Sequence, residues 1–289
     1  MKLWILFSVI TFSLMRSALA VDVALTLQRA EIAFANADFV EAATLARQAA
    51  SAEGYAYAAR AGLVYADFIA PWDDRLDFVL KAEVDARRAI ALEPRLAEGH
   101  LQLAIALGFR GRMEGHMTAH FEGLGKDART HLDYVIEHEP DNPWAHALLG
   151  GWNLEIIDAG GFVGRTLYGA SEEAGKAEYD RALELQPGHL VITAQYALQL
   201  TALGGAQNHE RATNLIAAIK VPDQPDALSL LTLRRLRELD AALASDNETQ
   251  IAQVVQAHKG ALVSQRSPVV PERSTRPRHE IRPIIGLPR

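Results

Sequence analysis

The chain has 289 residues, a formal net charge of −7 and no cysteine, which excludes disulfides, thiolate metal sites and cysteine nucleophiles. An acidic body argues against nucleic acid as the main partner, because phosphate binding needs clustered lysine and arginine. Apolar residues make up 49% of the chain and aromatics only 7%, a balance that, with alanine prominent, suits close-packed helices better than sheets.

Residues 1–20 read as an export signal. Lys2 supplies a positive start, Leu3 to Phe12 are largely apolar, and Ala18-Leu19-Ala20 offers small residues for cleavage after Ala20. An uncleaved anchor is the alternative, but Ser8, Thr11, Ser13 and Arg16 leave the apolar run short of the ~20 residues a spanning helix needs. The mature chain from Val21 is then expected in the periplasm or outside the cell, with no transmembrane span.

Beyond the signal the chain repeats itself. Ala30, Ala33, Ala42, Ala46 and Ala49 form one helix pair, and Ala58, Ala61, Gly62 and Tyr65 open a second. Three helix endings then recur, at Pro94, Pro140 and Pro187, spaced 46 and 47 residues apart; proline stops a helix because it cannot donate to the preceding turn. Five, eight and twelve residues before these prolines stand Ala89, Ala86 and Ala82, then Val135, Leu132 and Ala128, then Ala182, Tyr179 and Gly175. Those spacings put one small-to-medium apolar stripe on a single helix face. Six residues after each proline a second stripe starts, at His100, His146 and Thr193. Pro222 ends a weaker fifth unit in which Ala217 fits and Asn214 and Glu210 do not.

This layout resembles the tetratricopeptide repeat, whose first helix carries W-x2-L-G-x2-Y and whose second carries spaced alanines before a proline. The resemblance implies an all-α, TPR-like α-solenoid of about five helix pairs over 21–222. A polar-faced helix around Ala227 to Ala244 and another around Thr249 to His258 are expected to cap it within 223–260. Residues 261–289 form a proline-rich tail with six arginines, expected to be disordered.

The proline spacings exceed the usual repeat of about 34, and the excess falls between paired helices, as two glycine-rich insertions beginning at Gly108 and at Asp158. Their glycines predict rim loops. The segment Pro140 to Trp152, the second insertion and Leu183 to Gly188 further resemble the tetratricopeptide domain of the regulator of microtubule dynamics family and its bacterial relatives. That resemblance spans roughly residues 80–220. It implies the fold and an apolar ligand; the family's microtubule and mitochondrial setting does not match an exported chain.

In tetratricopeptide arrays the first helix of each pair lines the concave side. Those positions here are Leu27, Phe34 and Leu63, then Leu101, Ile105, Trp144, Ala147, Leu154, Val191, Ala194 and Leu198, an apolar wall. It lacks the Lys, Arg and Asn of arrays that clamp a terminal carboxylate. Two functions follow. One is a scaffold or adaptor whose groove takes a segment of another envelope protein. The other is a carrier of a lipid or small apolar ligand, with Arg110, Arg112 and Arg165 on the rim to meet an anionic head. The groove filled by the chain's own inserts or terminal helices is the plain alternative, and Trp152 is expected in the core.

No catalytic residues or cofactor emerge from the motifs, so the chain is expected not to be an enzyme. His116 and His120, with Glu122 nearby, have helical metal-ligand spacing, yet no H-E-x-x-H accompanies them. No metal is expected, and the histidines between 100 and 146 are expected to be solvated. Gly123-Leu124-Gly125-Lys126 lacks the spacing of a phosphate loop.

Overall fold

The computed structural model describes residues 21–259, so the expected signal segment and the basic tail lie outside the described residues. Among the described residues the chain is helical throughout, with no strand. In chain order the helices are α1 (21–35), α2 (Phe39–Gln48), α3 (Ala52–Phe68), α4 (Arg75–Leu92), α5 (Ala97–Glu114), α6 (His116–Phe121), α7 (Leu124–His138), α8 (Pro143–Tyr168), α9 (Glu172–Leu185), α10 (Leu190–Leu203), α11 (Ala206–Ala217), α12 (Ala227–Ala244) and α13 (Glu248–Lys259).

Local chemistry sets the boundaries. Ser51, Ser171 and Asp226 cap α3, α9 and α12 by accepting from the backbone N–H of Gly54, Ala174 and Ser229 at 3.1, 3.0 and 2.8 Å. Asn142 caps α8 through Trp144 and Ala145, with Pro143 at the first helical position, where its missing N–H costs nothing. Helices α4, α7 and α9 each end two residues before Pro94, Pro140 and Pro187.

Each short connection folds a helix back on its predecessor, so α2, α3, α4 and α5 pack consecutively, and α5 on α7, α7 on α8, α8 on α9 and α10 on α11 follow. A second set of contacts joins α3 to α5, α5 to α8 and α8 to α10, which places these four helices side by side in one row. The alanine stripes are the contact faces. Ala82, Ala86, Ala89 and Ala182 are wholly buried, and Leu132, Val135 and Tyr179 nearly so.

Two repeated positions are filled by buried histidines, which corrects the expectation that these side chains are solvated. His100 Nε2 donates to the Pro94 carbonyl at 2.9 Å, and His146 Nε2 donates to the Pro140 carbonyl at 2.8 Å. Each ring thereby ties down the loop that its proline opens, satisfying a carbonyl left over at the preceding helix end. With Nε2 committed, the neutral His100 ring presents Nδ1 as the acceptor toward His131 Nδ1–H at 2.8 Å, while His146 Nδ1 lies 2.6 Å from a Glu178 carboxylate oxygen.

The insertions are helical, which corrects the expected rim loops. Helix α5 runs unbroken through Gly108 and Gly111 to Glu114, and α8 runs on through Gly160 to Tyr168 with one kink at Gly161, where φ is 50° and ψ −126°. Gly164 lets the distal part of α8 close on Ile156, whose carbonyl a Cβ would meet at 2.5 Å. In and beside the insertions, Gly115, Gly123, Gly161 and Gly169 take the positive φ that glycine permits.

Helix α12 keeps the expected polar face, with Arg234, Arg237, Glu238 and Asp240 exposed, and buries the other. Leu233, Leu236 and Leu239 are buried against α10, while Ala227 and Leu228 join the cluster formed by α1 to α3. Arg235 fixes this crossing: its guanidinium meets the Asp67 carboxylate at 2.8 Å and the Asp67 carbonyl at 2.6 Å, and lies over Phe68 at 3.8 Å.

Burial lowers the pKa of His131, His189 and His258 below the usual 6.5. The folded state then binds fewer protons than the unfolded chain around that pH, so this stability is present above it and is lost as pH falls toward the depressed values. Urea unfolding midpoints are expected to drop between about pH 7 and pH 5, and His131→Gln is expected to make that drop shallower.

Candidate functional site

The row of α3, α5, α8 and α10 faces a concavity that is part enclosed and part open to solvent. Its inner side bounds a cavity of about 560 Å³, within the range of about 300–1,000 Å³ found for small-molecule sites. Leu63 and Val64 of α3, Leu101 and Ile105 of α5, Trp144 and Ala147 of α8 and Val191 of α10 form its apolar wall. Leu228 of α12 borders the same space, so the helix clasped by Arg235 covers part of it. Met117, Val163 and Leu167 line the cavity while each more than half exposed, which puts its mouth between α6 and the distal part of α8.

Five of the eight expected wall residues, Leu101, Ile105, Trp144, Ala147 and Val191, meet in the cavity. The other three are elsewhere. Leu154 is fully buried against α9, where Gly175 makes room for it: a Cβ on Gly175 would stand 2.5 Å from Leu154 Cδ2. Ala194 packs against the cluster of Leu190, Leu233 and Leu236, and Leu198 lies in the cluster with Leu239, so α12 occupies that stretch of the wall. Of the earlier positions Leu63 lines the cavity, whereas Leu27 and Phe34 sit in the α1–α3 core.

The three rim arginines also separate, and all three are on helices. Arg110 is engaged by Glu83, Glu114 and Glu122, and its hydrogen bond with Glu114 is the main cause that holds its pKa above the ordinary arginine value. Arg165 is exposed on distal α8. Arg112 alone lines the cavity, with its guanidinium 4.5 Å from the Phe109 ring centre.

Residues that pattern reading passed over form a polar spot on the cavity wall. Glu155 of α8 accepts from Gln199 Nε2 at 3.0 Å and pairs with Lys259 of α13 at 3.0 Å, and Lys259 also holds Asp158 at 2.6 Å. Burial alone would raise the Glu155 carboxyl, but the nearby Arg112 and Lys259 charges and the Gln199 hydrogen bond outweigh it and keep it below the usual range. Tyr179 of α9 reaches the same cavity, stacked on Tyr196 with ring centres 4.4 Å apart. Burial, then the Glu155 charge, pushes its hydroxyl far above the usual tyrosine value, so it stays neutral. A signal for this spot was present: Gln195 and Gln199 lie four apart on α10, which is otherwise almost wholly apolar.

Trp152, expected in the core, is half-buried on the cavity wall, and its indole N–H donates to the Gly125 carbonyl at 2.8 Å. His116 and His120 fall on α6, but His120 bonds the Tyr168 hydroxyl at 2.8 Å and Glu122 is taken by Arg110. No group of three or more metal-ligating side chains is assembled among the described residues, and none of their helices is long and apolar enough to cross a membrane. No protein-family model matches the chain, and no curated protein matches it.

Glycines Gly150 and Gly151 admit Tyr179 to this place: a Cβ on Gly150 would stand 2.7 Å from the ring and one on Gly151 3.0 Å from the hydroxyl. Gly150→Ala is expected to lower the unfolding free energy by roughly 1–3 kcal/mol, the usual cost of overpacking, as read by urea denaturation. An unchanged midpoint would mean that the α8–α9 contact is looser than its geometry.

Proposed function

We propose that this chain is a non-catalytic binder or carrier of a small apolar or amphipathic molecule, held inside a TPR-like α-solenoid. The five pairs are α1/α2, α3/α4, α5/α7, α8/α9 and α10/α11, with α12 and α13 laid across the inner face. The order of helix contacts and the side-by-side row of α3, α5, α8 and α10 support the solenoid. One observation carries the ligand assignment: the wall expected to form a groove borders a partly covered apolar cavity of ligand size. Export to the periplasm or beyond rests on residues 1–20, and a chain that moves an apolar molecule through water would suit that setting.

Docking of an amphipathic segment from an envelope protein is the second assignment. It is favoured by Phe121 and Phe162, 79% and 81% exposed on α6 and distal α8 beside the cavity mouth.

Gly108 offers a direct test, because it is helical, lines the cavity, and a Cβ there would meet nothing within 4 Å. Gly108→Phe is expected to place a ring in the lumen and weaken binding of the fluorescent apolar probe phenylnaphthylamine by about tenfold or more, a loss of roughly 1.4 kcal/mol. The thermal midpoint should stay within a degree or two of the parent. Equal probe affinity in the two proteins would remove the cavity as the binding site.

A further inference from the structure

The polar spot on the cavity wall has hydrogen-bonding capacity that the protein leaves unused. Gln199 is 6% exposed, and its amide orientation is fixed, since only Nε2 can face the Glu155 carboxylate. Its Oε1 is then buried with no partner among the described residues. The Tyr179 ring is 3% exposed, and its hydroxyl, which can both donate and accept, belongs to a residue that lines the same cavity. Buried polar groups in folded proteins are nearly always paired. One orphaned amide oxygen, with a tyrosine hydroxyl on the wall of the same apolar cavity, points to a ligand that completes it.

Charge decides what kind of head completes it. Arg112 and Lys259 stand against Glu155 and Asp158, and Lys259 bridges both carboxylates at 3.0 and 2.6 Å. The four formal charges cancel. A carboxylate or ammonium head would add one uncompensated charge beside an apolar lumen, which is costly to desolvate. An uncharged head with both functions has no such cost: its donor meets Gln199 Oε1, and its acceptor receives a hydrogen bond from the Tyr179 hydroxyl or the Arg112 guanidinium.

Resting on the cavity-binder assignment above, we propose that Tyr179 and Gln199, with Arg112 beside them, select an uncharged head that carries both a hydrogen-bond donor and an acceptor on a long apolar body, as in a fatty amide or fatty alcohol. This narrows the anionic head expected from the arginines alone, because Arg110 is spent on three carboxylates and Arg112 is balanced within its own cluster.

The test displaces phenylnaphthylamine from the full chain at neutral pH with four molecules of equal chain length: hexadecanamide, hexadecanol, hexadecanoic acid and hexadecylamine. The amide and alcohol are expected to displace the probe at about one tenth of the concentration needed by the acid or the amine, a factor of roughly 1.4 kcal/mol. Tyr179→Phe, which keeps the stacked ring, is expected to erase several-fold of that preference, read as the ratio of amide to acid displacement within the same variant, and Gln199→Leu should do the same if the first variant folds poorly. Probe binding with the acid or amine preferred, or a preference unchanged in both variants, overturns the head-group assignment and leaves the cavity standing. A parent protein that binds no probe overturns both.

Discussion

Close approach of helices over alanine and glycine is the constraint from which the rest of this structure follows. Gly62 lies near enough to α4 that a Cβ would touch Ala82 at 3.6 Å, and Gly150 and Gly175 let α8 and α9 meet with Tyr179 and Leu154 tucked between them. Because small residues are spent on these contacts, the larger ones, Leu101, Ile105, Trp144 and Leu148, fall on the inner side of the row. There they border the cavity, and the space between them is left hollow.

The hollow is bordered by helices that a few charged contacts tie together over long sequence distances. Arg235 joins α12 to the end of α3 across 168 residues, and Lys259 joins the end of α13 to the middle of α8. Such half-buried pairs add little net stability once their desolvation is counted, but they hold geometry well. Their service here is to keep two amphipathic helices lying across an apolar wall. Arg110, bound by carboxylates from α4, α5 and the α6–α7 turn, similarly holds the short helix α6 at the cavity mouth.

Much of this was legible along the chain because it depends on neighbours in sequence. Helical class follows from the period of the alanine stripes, helix ends from Pro94, Pro140 and Pro187, and half of the wall from the positions of Leu101, Ile105, Trp144, Ala147 and Val191. What escaped depends on distant partners. Nothing local tells that α12 buries Leu233, Leu236 and Leu239 over Ala194 and Leu198. Glycines 108, 111, 160 and 164 suggested loops because glycine has low helix propensity, yet α5 and α8 run through them. His100 and His146 looked like solvated surface until the carbonyls of Pro94 and Pro140 were seen beside them. The polar spot joins residues of α5, α8, α9, α10 and α13, and no window of sequence contains it.

Trp144 and Trp152 both border the cavity, whereas Trp72 lies outside it and is 46% exposed. A long-chain alcohol brominated at mid-chain quenches indole fluorescence only on contact, which makes it the most direct probe of occupancy. Saturable quenching at one molecule per chain, abolished when both Trp144 and Trp152 are replaced by phenylalanine, is the predicted result. Quenching that never saturates, or that persists in the double variant, would show that the apolar molecule does not enter the space between these helices.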